Sequence, residues 1–318
     1  MPERPAAPSP TVVGERALGV ATDDGVTLAG EESGGGEASG AGESAGAADR
    51  AGAGEAIVLL HGLTATRRYV VMGSRALERC GHRVIAYDAR GHGHSTPAPD
   101  ASAYGYERLA ADLRAVLDAA GVQRPLLAGA SMGAHTAIRF ALEHPERVSA
   151  LAIITPAFDP AAQTTDADFA GWDALARGLR EGGVEGFVRA YDLQGVPESF
   201  RATVQTVLRQ RLSAHEHPHA VANALEVVPR SRPFESLAQL AAIKVPTVVV
   251  ASRDEADPGH PLIVGERYAR AIPGARLIVE DARVGGHPIP SPIAWQGGQL
   301  SRVIAGLASD AGIGDSRG

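Results

Sequence analysis

LLAGASMGAHTA, residues 126–137, sets two leucines against a run of glycine and alanine with one serine, Ser131, at its centre. An apolar run, RPLLAG (124–129), leads into it, and AHTAIRFALEHP (134–145) leaves it with apolar side chains at helical spacing. Gly129-Ala130-Ser131-Met132-Gly133 therefore marks a sharp strand-to-helix bend. A residue at the apex of such a bend has strained backbone angles, and its neighbours two positions away must be nearly free of side chain. A glycine-rich βα turn would account for the pentapeptide by itself in a chain with 38 glycines, so the rest of the sequence has to decide between a turn and a nucleophile.

Outward from the bend, apolar runs recur at EAIVLL (55–60), HRVIAYD (82–88), VSALAIIT (148–155), VPTVVVAS (245–252) and ARLIVE (275–280). Runs of this length without polar alternation predict strands buried on both faces, as in a parallel sheet. Amphipathic stretches such as YERLAADLRAVLDAAG (106–121) lie between them, and repeated β-α order predicts right-handed crossovers and an open, doubly wound sheet. Ahead of the core, ALGVATDDGVTLAGE (17–31) predicts a hairpin closed at Asp24-Gly25. Residues 32–54 hold no large apolar side chain and are expected to form a flexible loop, as are the tails 1–16 and 312–318. Between Pro156 and Lys244 helical patterns replace strands. This predicts a cap at 158–234, inserted between the sixth and seventh strands and separating core segments 55–157 and 235–311. Six aromatics fall in the first half of the interval from Pro156 to Lys244: Phe158, Phe169, Trp172, Phe187, Tyr191 and Phe200.

Composition removes whole classes of function. The chain has 318 residues, 44% of them hydrophobic, which is enough for a large core. Thirty basic residues against 37 acidic ones give a net charge of −7, and the arginines are scattered, so no basic footprint for nucleic acid exists. One cysteine, Cys80, excludes an internal disulfide and a multi-cysteine metal site, and it reads as a buried small apolar residue. MPERPAAPSP at the start has no apolar h-region, and no apolar run approaches the length of a membrane span. A cytoplasmic protein is the expectation, with oligomeric state left open.

LLHGLTATRRY follows the first core strand, and its His61-Gly62-Leu63-Thr64 gives a loop whose backbone N–H groups can point toward the carboxyl edge of the sheet. Acyl transfer needs two such donors for the oxyanion of a tetrahedral intermediate, and the amides of Leu63 and Met132 are assigned to that task. His61 is expected to brace the loop. With DARGHGHS (88–95), which is similar to a D-x-R-G-x-G-x-S segment, these motifs resemble the α/β-hydrolase fold family over roughly residues 55–310. The resemblance implies that residues 90–95 shape the site without chemistry, so His92 and His94 are scaffold.

A serine hydroxyl needs a base, and the base needs a carboxylate to orient it. The family order is Ser, acid, His. RDEADPGHP follows VPTVVVAS, and the resemblance puts the acid at Asp254, with Asp257 as a competitor and Glu255 a weaker one. The base is expected at His287, in a Gly285-Gly286-His287 loop after the last strand, although the surrounding Pro288, Pro290 and Pro292 depart from the simplest form of that loop. His260 is the alternative. It lies six residues beyond Asp254, a spacing that makes simultaneous bonds to that acid and to Ser131 awkward. His215, His217 and His219 in AHEHPHA are read as a junction between cap helices, because Pro218 and the helical context disfavour a metal ligand set.

The expectation is a serine hydrolase, carboxylesterase-like or lipase-like, acting through an acyl-enzyme on a small acyl substrate with an apolar group, with no cofactor and no metal. Ser in place of Asp at the nucleophile position argues against dehalogenase and epoxide-hydrolase chemistry. Peptidase, thioesterase, C–C hydrolase, acyltransferase and cofactor-free haloperoxidase activities remain alternatives within the family, as does a non-catalytic ligand-binding module on the same fold.

Overall fold

The computed structural model describes residues 14–35, 56–162, 165–253, 257–279, 283–284, 287–288 and 295–313. An eight-stranded sheet runs in the order β1 (Glu15–Ala21), β2 (Thr27–Ser33), β4 (Val84–Tyr87), β3 (Ile57–Leu60), β5 (Leu126–Ala130), β6 (Ala150–Ile154), β7 (Thr247–Ala251), β8 (Arg276–Val279). β1 and β2 are antiparallel, and β3 to β8 are parallel to one another. The result is the doubly wound α/β architecture expected from the apolar runs. A small second ladder pairs β9 (Arg283–Val284) with β10 (His287–Pro288).

Every residue of β3, β4, β6 and β7 is buried, which is why these strands read as continuous apolar runs. The pleat sends alternate residues to opposite faces. Val58, Leu60, Leu127 and Ile153 meet α2 (Tyr106–Ala119), α3 (Met132–Glu143) and α7 (Leu262–Ala271) on one face. Ile57, Leu59, Leu126, Ala152 and Val250 meet α1 (Ala76–Arg79) and α8 (Gly297–Asp310) on the other. At about 1.5–3 kcal/mol for each fully buried aliphatic side chain, these two layers supply the main drive to fold.

Two expectations need correction. β1 begins at Glu15 and β2 runs to Ser33, so the hairpin intrudes on the segments read as a flexible tail and loop. Ser33 pairs with Val84 of β4, and Glu32 with the guanidinium groups of Arg16 (2.6 Å) and Arg83 (2.8 Å), which extends the ladder beyond the apolar alternation. The rest of 1–16, 32–54 and 312–318 falls, apart from a few residues, outside the described residues. Cys80 is exposed: it caps the end of α1, which buries Leu77 and Glu78.

Between β6 and β7 the chain builds a helical layer of α4 (Asp166–Ala190), α5 (Glu198–Leu212) and α6 (Pro218–Val227). It has a small core of its own, in which Phe187 and Leu179 pack with Leu208, Leu212 and Leu225. Leu63 of the loop after β3 leans on that core from below, so cap and loop share a contact. Trp172 is exposed, whereas Phe158 stacks against Phe234 at 5.2 Å. Among the described residues no helix is long and apolar enough to cross a membrane.

Candidate active site

The bend at Ser131 has the strain its sequence implies. Ser131 sits at φ 51°, ψ −114°, a region that side-chain-bearing residues rarely occupy, between the end of β5 and the first turn of α3. A Cβ on Gly129 would collide with the backbone of Gly133 and Ala134, and one on Gly133 would collide with the carbonyl groups of Leu60 and His61. Backbone cannot yield as a flexible side chain can. Gly133→Ala is therefore expected to destabilise the fold by about 3 kcal/mol or more. Urea unfolding checks this, and an unchanged midpoint would contradict the close packing of strand, bend and helix.

Beside Ser131, the loop after β7 supplies an imidazole and a carboxylate. His260 Nε2 lies 2.9 Å from Ser131 Oγ, and His260 Nδ1 lies 2.8 Å from both carboxylate oxygens of Asp257. The spacing that argued against His260 is met by a tight turn. Its backbone N–H donates to the Asp257 carbonyl at 3.2 Å, folding residues 257–260 so that the ring is held from behind by Asp257 and faces Ser131. Burial pushes the Asp257 carboxyl upward, but the hydrogen bond and charge of His260, with Arg211 adding to them, hold it below the usual carboxylate range. It is thus an anion at neutral pH and an orienting partner for an imidazole. Of the residues favoured on sequence, Asp254 and the weaker Glu255 lie outside the described residues. His287 is described only through its backbone, which pairs with Val284.

The loop after β3 is organised by histidines. Ala89 N–H donates to His61 Nε2 (2.9 Å), which leaves His61 Nδ1–H to donate to the Gly62 carbonyl (2.8 Å). His92 stands between the carbonyls of Arg90 (2.9 Å) and Leu63 (2.6 Å), and a neutral ring donates to only one of them; the shorter contact assigns the proton to Nε2. Gly93 N–H donates to His215 Nδ1 (2.9 Å), so His215 Nε2–H donates to the Thr64 carbonyl (3.2 Å). Three consecutive carbonyls, those of residues 62, 63 and 64, thereby each receive an imidazole N–H. In a trans peptide the N–H points opposite to the carbonyl, so fixing the Gly62 carbonyl also fixes the direction of the Leu63 N–H. His61, expected only to brace the loop, does so with two partners. His215 is a cap residue that bonds the loop directly, a role its sequence context did not reveal.

Residues 88–95, which include the 90–95 segment expected to shape the site, are held by a buried network. Asp88 is fully buried, pairs with the Arg67 guanidinium and accepts the backbone N–H groups of Arg67 (2.8 Å) and His94 (3.1 Å). Arg90 is buried and forks onto Asp112 (2.8 and 2.7 Å) while reaching Asp24 in the hairpin turn at 2.8 Å. His94 lies at the surface against Glu216 (2.7 Å).

His135, one helical turn beyond Ser131, is the residue sequence reasoning passed over. Its Nε2 accepts the N–H groups of Ala157 (3.3 Å) and Phe158 (3.2 Å), and its Nδ1–H donates to Tyr106 Oη (3.1 Å). It thus ties the nucleophile helix to the strand exit that leads into the cap. Burial, joined by the nearby His260 charge, lowers its pKa to about 3. Burial likewise lowers His215 to about 3 and His61 to about 4.

These three imidazoles are neutral when folded, whereas in the unfolded chain they titrate near the ordinary value of about 6.5. The unfolded state takes up protons first, so stability is lost as pH falls from about 6.5 toward 4. Each histidine contributes up to about 1.4 kcal/mol per pH unit, or roughly 2 kcal/mol by pH 5. The urea midpoint is expected to drop steeply between pH 7 and pH 5, and a flat profile would contradict the neutral assignments.

The chain belongs to the α/β-hydrolase family: the family model described as alpha/beta hydrolase fold matches residues 55–283, and within that family this chain is a hydrolase. It is similar to RutD of Variovorax paradoxus, a protein named for carbamate hydrolysis, with 33% identity over 204 residues, covering 64% of this chain and 75% of that one. It is also similar to 2-hydroxy-6-oxononadienedioate/2-hydroxy-6-oxononatrienedioate hydrolase 2 of Pseudomonas putida, with 32% identity over 234 residues, 71% of this chain and 79% of the relative. A malate-bound thermophilic esterase from Thermogutta terrifontis shares the fold with a TM-score of 0.68 at 24% identity, over 93% of this chain and 99% of the other. Among the described residues no group of three His, Cys, Asp or Glu side chains is disposed to hold a metal ion.

Proposed function

We propose that the protein is a serine hydrolase of small acyl compounds, with Ser131 as nucleophile, His260 as base and Asp257 as the carboxylate that fixes the His260 tautomer. The observation that carries this reading is the unbroken relay from Ser131 Oγ to His260 Nε2 (2.9 Å) and from His260 Nδ1 to Asp257 (2.8 Å) at a strained strand-to-helix bend. His260 takes the Ser131 proton as Oγ attacks the substrate carbonyl. It returns that proton to the leaving group, and water then repeats the cycle on the acyl-enzyme. The amides of Leu63 and Met132 receive the developing oxyanion, a role supported by the imidazole bonds that fix the 62–64 carbonyls.

This reading moves the acid and base from Asp254 and His287 to the alternatives Asp257 and His260. We keep carboxylic ester cleavage as the reaction. The names of the relatives, which span carbamate, C–C bond and ester hydrolysis, fit the same acyl-enzyme chemistry.

Incubation with an activated p-nitrophenyl ester, quenched in acid and followed by peptide mass analysis, tests the proposal. The expected result is an acyl adduct on Ser131. Turnover with no adduct at Ser131, or no turnover of any activated ester, would sink it.

A further inference from the structure

Arg211 occupies the last turn of α5, between Leu208 and Leu212, both of which are buried in the cap core. Its neighbour Arg209 is satisfied by Glu185 at 2.7 Å. The Arg211 side chain is not: among the described residues it forms no ion pair and no hydrogen bond, and its Nε is buried without a partner. Its guanidinium stands over an aromatic face, the Cζ 4.8 Å from the centre of the Tyr69 ring. Tyr69 opens the 3-10 turn directly after the loop whose carbonyls the three histidines hold.

A half-buried guanidinium whose Nε has no hydrogen-bond partner among the described residues calls for an explanation. Its surroundings are those of the candidate site. Arg211 ends a cap helix and Tyr69 follows the 61–64 loop, so the pair bridges cap and loop, and the Arg211 charge helps hold the Asp257 carboxyl below its usual range. Standing over the Tyr69 ring, the guanidinium carries N–H donors with no partner among the described residues, and such a fork suits a planar, two-oxygen acceptor.

We propose that Arg211 is a substrate-binding residue that pairs with a carboxylate borne by the acyl substrate, so that the enzyme selects anionic esters such as monoesters of dicarboxylic acids. The inference rests on the serine-hydrolase reading and names the substrate class of the same site. The carboxylate stays charged throughout and takes no part in bond breaking. Its role is to hold the far end of the substrate while Ser131 attacks the ester carbonyl.

The test uses the full-length protein with mono-p-nitrophenyl glutarate and uncharged p-nitrophenyl butyrate. The ratio of their kcat/KM values is expected to favour the glutarate ester in the wild type. In Arg211→Gln it is expected to fall at least about tenfold, mainly through KM, the scale of one charge-assisted bonded pair. Arg211→Lys should restore part of the ratio. An equal loss on both esters would overturn the proposal and make Arg211 an electrostatic support for Asp257, and an unchanged ratio would also overturn it.

A second arm needs no turnover. Calorimetric titration of Ser131→Ala with glutarate should show binding that weakens at least about tenfold in Ser131→Ala/Arg211→Gln. Binding that is absent or insensitive to Arg211 contradicts the proposal. Failure of the wild type to form an acyl adduct would strike the serine-hydrolase reading, whatever glutarate does.

Discussion

Ser131→Ala is expected to lower kcat by about 10⁴ to 10⁶ while leaving the fold intact. Alanine removes only the hydroxyl, and a methyl group fits wherever a hydroxymethyl did. The backbone strain at φ 51° is already present in the native state and does not increase. Any residual rate comes from the amides of Leu63 and Met132 and from binding, which act on water as well as on serine. Because nucleophile and base act as a unit, adding His260→Ala to Ser131→Ala should cost almost nothing more. Steady-state rates on an activated ester with the two single variants and the double variant check this. Additive losses would show that the two side chains do not share one proton transfer.

Asp257→Asn is expected to lower kcat by roughly 10³ to 10⁴. The carboxylate accepts from His260 Nδ1 at 2.8 Å and so leaves Nε2 as the acceptor facing Ser131. An amide in its place can donate its own N–H to Nδ1. The ring then carries its proton on Nε2 and cannot take one from the serine. The loss should sit in kcat, because the amide keeps the size and position of the carboxylate. Asp254→Asn is expected to have the smaller effect, and the reverse ranking would return the acid to the position the family motif suggests. Stability above pH 7 is the control for Asp257→Asn, since among the described residues the Asp257 side chain bonds His260 and none of the three buried histidines that govern acid unfolding.

The fold was legible because its strands are buried on both faces and its bend admits little but glycine at two positions. Both constraints leave marks in single residues. The apolar runs at 55–60 and 148–155 contain β3 and β6, and Gly129 and Gly133 mark where a side chain would strike backbone. The proposed base was harder to read. Motif position pointed to His287, and a count of six residues from Asp254 to His260 spoke against the rival. The turn that joins Asp257 to His260 depends on backbone angles that the count does not carry. His215 and Arg211 were invisible for a related reason. Both lie on cap elements far along the chain from the loop they meet, so nothing in their local sequence announces His215 bonding Thr64 or Arg211 covering Tyr69. The reading of Cys80 as buried failed where a short helix left the residue that caps it to solvent.

The central claim is that His260 activates Ser131. Its most direct test is the rate at which a fluorophosphonate labels Ser131, since that step needs the activated hydroxyl but no particular substrate. His260→Ala is expected to slow labelling by about 10³-fold or more, while His287→Ala labels at close to the wild-type rate. Fast labelling of His260→Ala together with loss of labelling in His287→Ala would contradict the account.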